Sequence, residues 1–168
     1  MSEPSDTLTD PRELLLAYLD YYRATLLRKL DGLSDDELRT SRLPSGWTPL
    51  ELLKHLAFVE RRWLRWGFLG EDVDPVWGDE DPETRKWAVG ADESAESVRA
   101  LFREECESSR AIVSGARLED IARGTGRFTP PAQPPALSWI LFHLLQEYAR
   151  HVGQLDVVRE LADGATGE

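Results

Sequence analysis

Apolar residues recur at three-and-four spacing in four long stretches of the chain, and each stretch carries its own start and stop signals. The first begins at Asp10-Pro11-Arg12-Glu13, a cap, a first-turn proline and a capping-box carboxylate, and continues through Leu14, Leu15, Tyr18, Leu19, Tyr22, Leu26 and Leu30 to Gly32. Thr48-Pro49-Leu50-Glu51 repeats the signature and opens a second stretch that runs to Trp66, ahead of Gly67 and Gly70. That stretch is apolar on more than one side, with Leu52, Leu53, Leu56, Phe58, Val59, Trp63, Leu64 and Trp66, which predicts either deep burial or a second contact surface. Ser94 caps a third helix through Val113, with Gly115 beyond its end. The fourth and longest spans Leu137 to Asp163, with Ser138 as its expected cap and Gly164 as its stop.

The connections read differently. Between Leu33 and Gly46 a single turn capped by Ser34 precedes a Leu-Pro-Ser-Gly loop. Residues 71–92 are acidic, punctuated by prolines and glycines, and hold Trp77 and Trp87, each an anchor pinning the loop to the body or a wall of a ligand mouth. Residues 118–136 carry too many prolines for regular structure, and their Gly-Thr-Gly lacks the strand-to-helix setting of a phosphate loop. With no alternation of strand type, the predicted fold is all-α: a four-helix bundle with a long connection between its second and third helices, forming one domain over residues 1–168 with 1–9 flexible.

Composition narrows the partners. Thirty-one acidic residues against 20 basic give a formal net charge of −11 with no basic run, which disfavours nucleic acid and anionic membranes. No apolar run reaches the roughly 18 residues of a membrane span, the N-terminus has no signal-peptide pattern, and the lone Cys106 has no partner for an intrachain disulfide. A cytoplasmic location is the expectation, with Cys106 a small buried hydrophobe.

The candidate chemistry lies on the fourth helix. At about 100° per residue His151 falls inside the apolar stripe of Leu137, Ile140, Leu141, Leu144, Tyr148, Leu155 and Val158, and Glu147 lies one turn earlier at its edge. A carboxylate and an imidazole four residues apart face the same point, and a carboxylate there needs a cation or a hydrogen-bonding network. His55 occupies an apolar face of the second helix, so His55, Glu147 and His151 form a candidate metal site of two imidazoles and one carboxylate with open positions. Such a set suits zinc first, and also nickel, iron or manganese. Taken singly, each histidine also reads as a hydrogen-bonded core residue, and Glu147 as an edge carboxylate pairing with Arg150 or His143. His143 lies off the stripe, as a surface group or a support to a ligand.

Gly46-Trp47-Thr48-Pro49-Leu50-Glu51-Leu52-Leu53-Lys54-His55-Leu56 with Glu60, together with Glu147-Tyr148-Ala149-Arg150-His151-Val152-Gly153-Gln154-Leu155-Asp156 and Arg159-Glu160, resembles the DinB-like superfamily. The likeness extends over nearly the whole chain, from the Trp87 region to the closing Asp163-Gly164-Ala165-Thr166-Gly167, and is nearest to an uncharacterised actinobacterial-type branch. The resemblance implies a four-helix bundle, often a homodimer, with a divalent metal on a helix-2 histidine and an i, i+4 pair on helix 4, matched here by His55, Glu147 and His151. Several members use three histidines. The glutamate variant is similar to mycothiol-dependent maleylpyruvate isomerase, from which this chain departs by ending soon after the fourth helix.

Characterised members of the superfamily are transferases and isomerases that use mycothiol, bacillithiol or glutathione-like thiols. The resemblance therefore implies an S-transferase or isomerase acting on a small-molecule thiol and an electrophile, with the metal stabilising the thiolate, and the electrophile is expected under the loops of Trp77 and Pro130–Pro135. Glu60 and Gln154 are expected to orient ligands, while Arg42, Arg123 and Arg127 are candidates for contacting an acidic cofactor. A metal-dependent hydrolase is one alternative. Another is a non-catalytic metal-stabilised dimerisation module that uses the apolar excess of the second helix.

Overall fold

The computed structural model describes residues 3–166, so the expectation of flexibility at residues 1–9 falls partly on Met1 and Ser2, and the closing Gly167 likewise lies outside the described residues. Five α-helices form: α1 Pro11–Leu30, α2 Asp35–Arg39, α3 Pro49–Glu60, α4 Ala95–Ser114 and α5 Leu137–Asp163. Asp10 accepts from the Glu13 backbone N–H at the start of α1, although Glu13 does not return the bond. Ser34 with Glu37 and Thr48 with Glu51 close full capping boxes on α2 and α3. The start of α5 departs from expectation. Its N-cap is Ala136 without a side-chain bond, and Ser138 sits inside the first turn. The Leu137 and Ser138 amides donate instead to the Asp120 and Leu118 carbonyls, so the preceding loop caps this helix.

The second predicted helix is continuous from Pro49, but from Arg61 to Phe68 it widens into a π-helix. A π segment shifts the facing of every later side chain, which periodicity at 3.6 does not anticipate, and it commonly marks a functional site. Its widened turns carry Trp63, Trp66 and Gly67.

α1 packs on α5, α5 on α3, and α3 on α4. The α1–α4 side is laced by guanidinium groups: Arg12 donates to the Val113 carbonyl, Arg110 to Asp20 and Arg99 to the Leu30 carbonyl. Inside, Leu19, Leu26, Leu52, Leu53, Leu56, Leu64, Phe102, Ile140, Leu141, Leu144 and Leu155 are buried together. The apolar excess of the second predicted helix is thus explained by burial within the chain, with Leu52, Leu53, Phe58 and Val59 of α3 and Leu64 of the π-helix all shielded.

One polar knot crosses this core. Glu60 of α3 is fully buried and receives both arms of the Arg23 guanidinium from α1 at 2.8 and 2.9 Å and the Tyr148 hydroxyl from α5 at 2.6 Å, while the Cys106 thiol of α4 stands 3.9 Å away. All four long helices contribute. Burial works to raise the Glu60 carboxyl, but the charge and hydrogen bonds of Arg23 outweigh it and hold its pKa below the ordinary carboxylate range. Burial, reinforced by Glu60, pushes the Cys106 thiol far up, so Cys106 is a protonated core residue.

Candidate metal centre

His55 on α3 and Glu147 and His151 on α5 meet where the two helices pack. One ligand atom from each lies within 4.8 Å of those of the other two. The imidazole Nε2 of His151 is 3.1 Å from Oε2 of Glu147, and the rings of His55 and His151 are 5.2 Å apart and nearly perpendicular. All three side chains are largely but not wholly shielded, so solvent still reaches the group.

The remaining ring nitrogens are committed elsewhere. Nδ1 of His55 lies 2.9 Å from Oδ2 of Asp79, and Nδ1 of His151 lies 2.9 Å from Oε1 of Gln154. A carboxylate only accepts, so Nδ1 of His55 carries the proton and its Nε2 is left with a lone pair, while Nε2 of His151 donates to Glu147, a bond whose proton a bound cation would replace. Burial lowers the His55 pKa against the opposing pull of Asp79, which keeps that ring neutral at neutral pH. The hydrogen bond from His151 holds the Glu147 carboxyl below its ordinary value, and so it is ionised. Two imidazoles and one carboxylate, with both Nδ1 atoms held by neighbouring oxygens, are the donor set that a divalent cation takes. Tetrahedral ligand atoms at metal–nitrogen distances of about 2.0–2.1 Å lie about 3.4 Å apart, so closure from within 4.8 Å needs a shift of at most about 1.4 Å.

The support of His55 comes from the acidic loop. Its residues Asp79 to Ala88 fold back on themselves, with the Ala88 amide donating to the Asp79 carbonyl, the Asp81 amide to the Lys86 carbonyl, and an isolated bridge joining Glu80 to Trp87. One arm supplies Asp79, which is fully buried and gripped by Arg62 of the π-helix at 2.5 and 3.0 Å. Burial tends to raise the Asp79 carboxyl, yet the bonds from His55 and Arg62 keep its pKa low. The other arm supplies Trp87, whose ring stacks on His55 at 4.1 Å and meets His151 edge-on at 5.3 Å. Trp87 is therefore a wall of the site. Trp77 packs against Arg62, Arg85 and Trp66 instead.

His143 sits one turn before Glu147, its Nε2 3.3 Å from Oε1, and its ring stacks on Trp139 and packs at a tilt against Trp63. It supports the carboxylate from the far side. Gln154 Oε1 reaches Nδ1 of His151, whereas Glu60 does not approach the trio. Five residues beyond His55, at about 100° each, Glu60 points well around the helix from it and into the Arg23–Tyr148 knot. Sequence reasoning missed Asp79, one of many acidic residues in its loop, because only the fold-back of the loop selects it.

Comparison with known proteins agrees with this architecture. A solved structure, the crystal structure of a conserved protein from Enterococcus faecalis, superposes with a TM-score of 0.66 at 18% identity, over 94% of this chain and all of the other. At that identity the likeness speaks for the fold alone, which is all-α. No curated protein matches the chain. Among the described residues no helix is long and apolar enough to cross a membrane. The family model described as Mycothiol-S-transferase matches residues 14–164, a span that contains all five helices except the first turn of α1 and takes in every residue of the candidate site. The chain belongs to the Mycothiol-S-transferase family, a DinB-like family.

Proposed function

We propose that His55, Glu147 and His151 hold a divalent cation, zinc before nickel, iron or manganese, and that the protein is a low-molecular-weight-thiol S-transferase whose thiol is mycothiol or a close relative. The observation that carries the reading is that one ligand atom each of His55, Glu147 and His151 lies within 4.8 Å of the other two, while Asp79 and Gln154 hold the two Nδ1 atoms. The family match supports the thiol. A free thiol has a pKa of about 8.5, and a divalent cation would favour its thiolate at neutral pH. The chain's own part is to aim the donors, through Asp79, Arg62 and Gln154, and to shield the site with Trp87 and Trp63. The electrophile then meets the sulfur beside these rings, in the cytoplasm. A homodimer would find apolar surface on the outer side of α5, where Phe142, Val157 and Leu161 stand exposed.

The dimerisation-module alternative loses its basis, because the apolar residues of α3 on which it rested are buried inside the chain. The test measures metal content and mycothiol binding together. His55→Ala and His151→Ala should each release the metal and abolish thiol binding while helicity by circular dichroism is kept, and His143→Ala should retain the metal. Release by His143→Ala alone, or thiol binding indifferent to the metal, would overturn the reading.

A further inference from the structure

The chain spends three glycines to seat one arginine. The segment of residues 123–128 lies against the π-helix at a distance that a side chain on the facing glycines would forbid. A Cβ on Gly126, which has φ +60°, would meet the Trp66 carbonyl oxygen at 2.2 Å, and one on Gly70, at φ +62°, would meet Thr125 Oγ1 at 1.9 Å. A Cβ on Gly67 would stand 3.2 Å from the Phe128 ring and 3.7 Å from the Arg127 stem. The result is that the Arg127 guanidinium lies 4.1 Å over the Trp63 ring and 5.9 Å from that of Trp66.

Arg127 is half-buried and accepts no partner from the protein. Among the described residues it is the arginine or lysine withdrawn from solvent that has neither a hydrogen bond nor an ion pair, although the chain holds 31 carboxylates. The other cations without such a partner, Arg42, Lys86, Arg123 and Arg150, are exposed. Stacking on tryptophan engages the flat face of a guanidinium and leaves its five N–H donors, which lie in the plane, unsatisfied. Burial and the neighbouring Arg62 both lower the Arg127 pKa from its ordinary value.

The place matters as much as the charge. The Trp63 ring under Arg127 also packs on His143 at 4.1 Å, and His143 Nε2 is 3.3 Å from the Glu147 carboxylate. One indole and one imidazole thus separate the guanidinium from the candidate metal ligands. Phe128 and Trp139 flank the same Trp63 ring, at 6.1 and 5.6 Å.

We infer that Arg127 is the anchor for a carboxylate on the electrophilic substrate, and that this substrate carries an aromatic or similarly flat apolar body lying against Phe128 and the exposed Trp139. An arginine fork matches a carboxylate with two parallel bonds, and an aromatic floor suits the flat body of such an acid. The inference rests on the reading of His55, Glu147 and His151 as the reacting end, since it fixes which end of the substrate is held away from them.

The test uses benzoate and benzamide as probes of one shape and different charge, titrated by calorimetry into zinc-loaded and metal-stripped protein, wild type and Arg127→Gln. Wild type should bind benzoate at least tenfold more tightly than benzamide with or without zinc, and Arg127→Gln should reduce that preference to less than twofold with unchanged helicity and metal content. Equal binding of the two probes by wild type would overturn the inference, whatever the same samples show for mycothiol. A preference that survives Arg127→Gln but vanishes on stripping would also overturn it, by placing the carboxylate on the metal. A preference that depends on Arg127 in protein that binds no thiol would uphold the anchor and remove the thiol-transfer reading instead.

Discussion

Replacing Asp79 by asparagine separates the fold from the candidate metal centre more cleanly than removing a ligand does. The change keeps the volume of a fully buried side chain that touches His55 Nδ1 at 2.9 Å and both arms of Arg62. The asparagine oxygen can still accept from the Arg62 guanidinium, which leaves only the amide NH2 to face His55. An NH2 donates, so Nδ1 must accept, and the imidazole proton moves to Nε2, the atom that faces Glu147 and His151. Binding a cation then requires reversal of the tautomer or rotation of a ring that Trp87 holds in a stack at 4.1 Å. Loss of such an outer partner costs about 10–100-fold in metal affinity, or about 1.4–2.7 kcal/mol. Competition with a chromophoric chelator at pH 7 should show that weakening for Asp79→Asn with helicity retained. An affinity within about threefold of wild type would mean that His55 is not a ligand or that its tautomer does not matter, and the donor-set reasoning would fail.

Glu60→Gln should destabilise the protein by about 3 kcal/mol at pH 7, because it leaves the buried Arg23 without its counter-charge. Since the folded Glu60 pKa lies below its ordinary 4.5, its contribution is complete above that value and is lost as pH falls through the folded value. Urea denaturation at pH 7 and pH 3 should therefore show the gap between wild type and Glu60→Gln closing in acid, and a gap that stays constant would contradict the pairing. Gly126→Ala should cost at least about 2 kcal/mol by the same assay, from the left-handed backbone and the contact with the Trp66 carbonyl, and should erase the benzoate preference assigned to Arg127. A fully stable Gly126→Ala protein that keeps the preference would show that the seat does not position the arginine.

Local chemistry made the helices legible. A proline behind a Thr or Asp cap, a glycine at φ +76° after Asp163, and apolar residues at three-and-four spacing act over four or five residues, and they placed four long helices within a residue or two of their ends. The i, i+4 geometry of Glu147 and His151 is likewise a property of one helix. The meeting of His55 with that pair is not, because it depends on how α3 crosses α5. Nothing in the spacing of 71–92 distinguishes Asp79 from its acidic neighbours, or makes Trp87 rather than Trp77 a wall of the site, since those roles follow from where a fold-back of the loop sets down. Arg127 gave no signal beside Arg42 and Arg123 until the π-helix turned Trp63 and Trp66 beneath it and three glycines let the loop approach. The chain by itself determined the rods and which side of each is apolar, because those depend on neighbours in sequence. Only the packing of α3, α5 and the two loops decided which polar groups share a point in space, because those contacts join residues tens of positions apart.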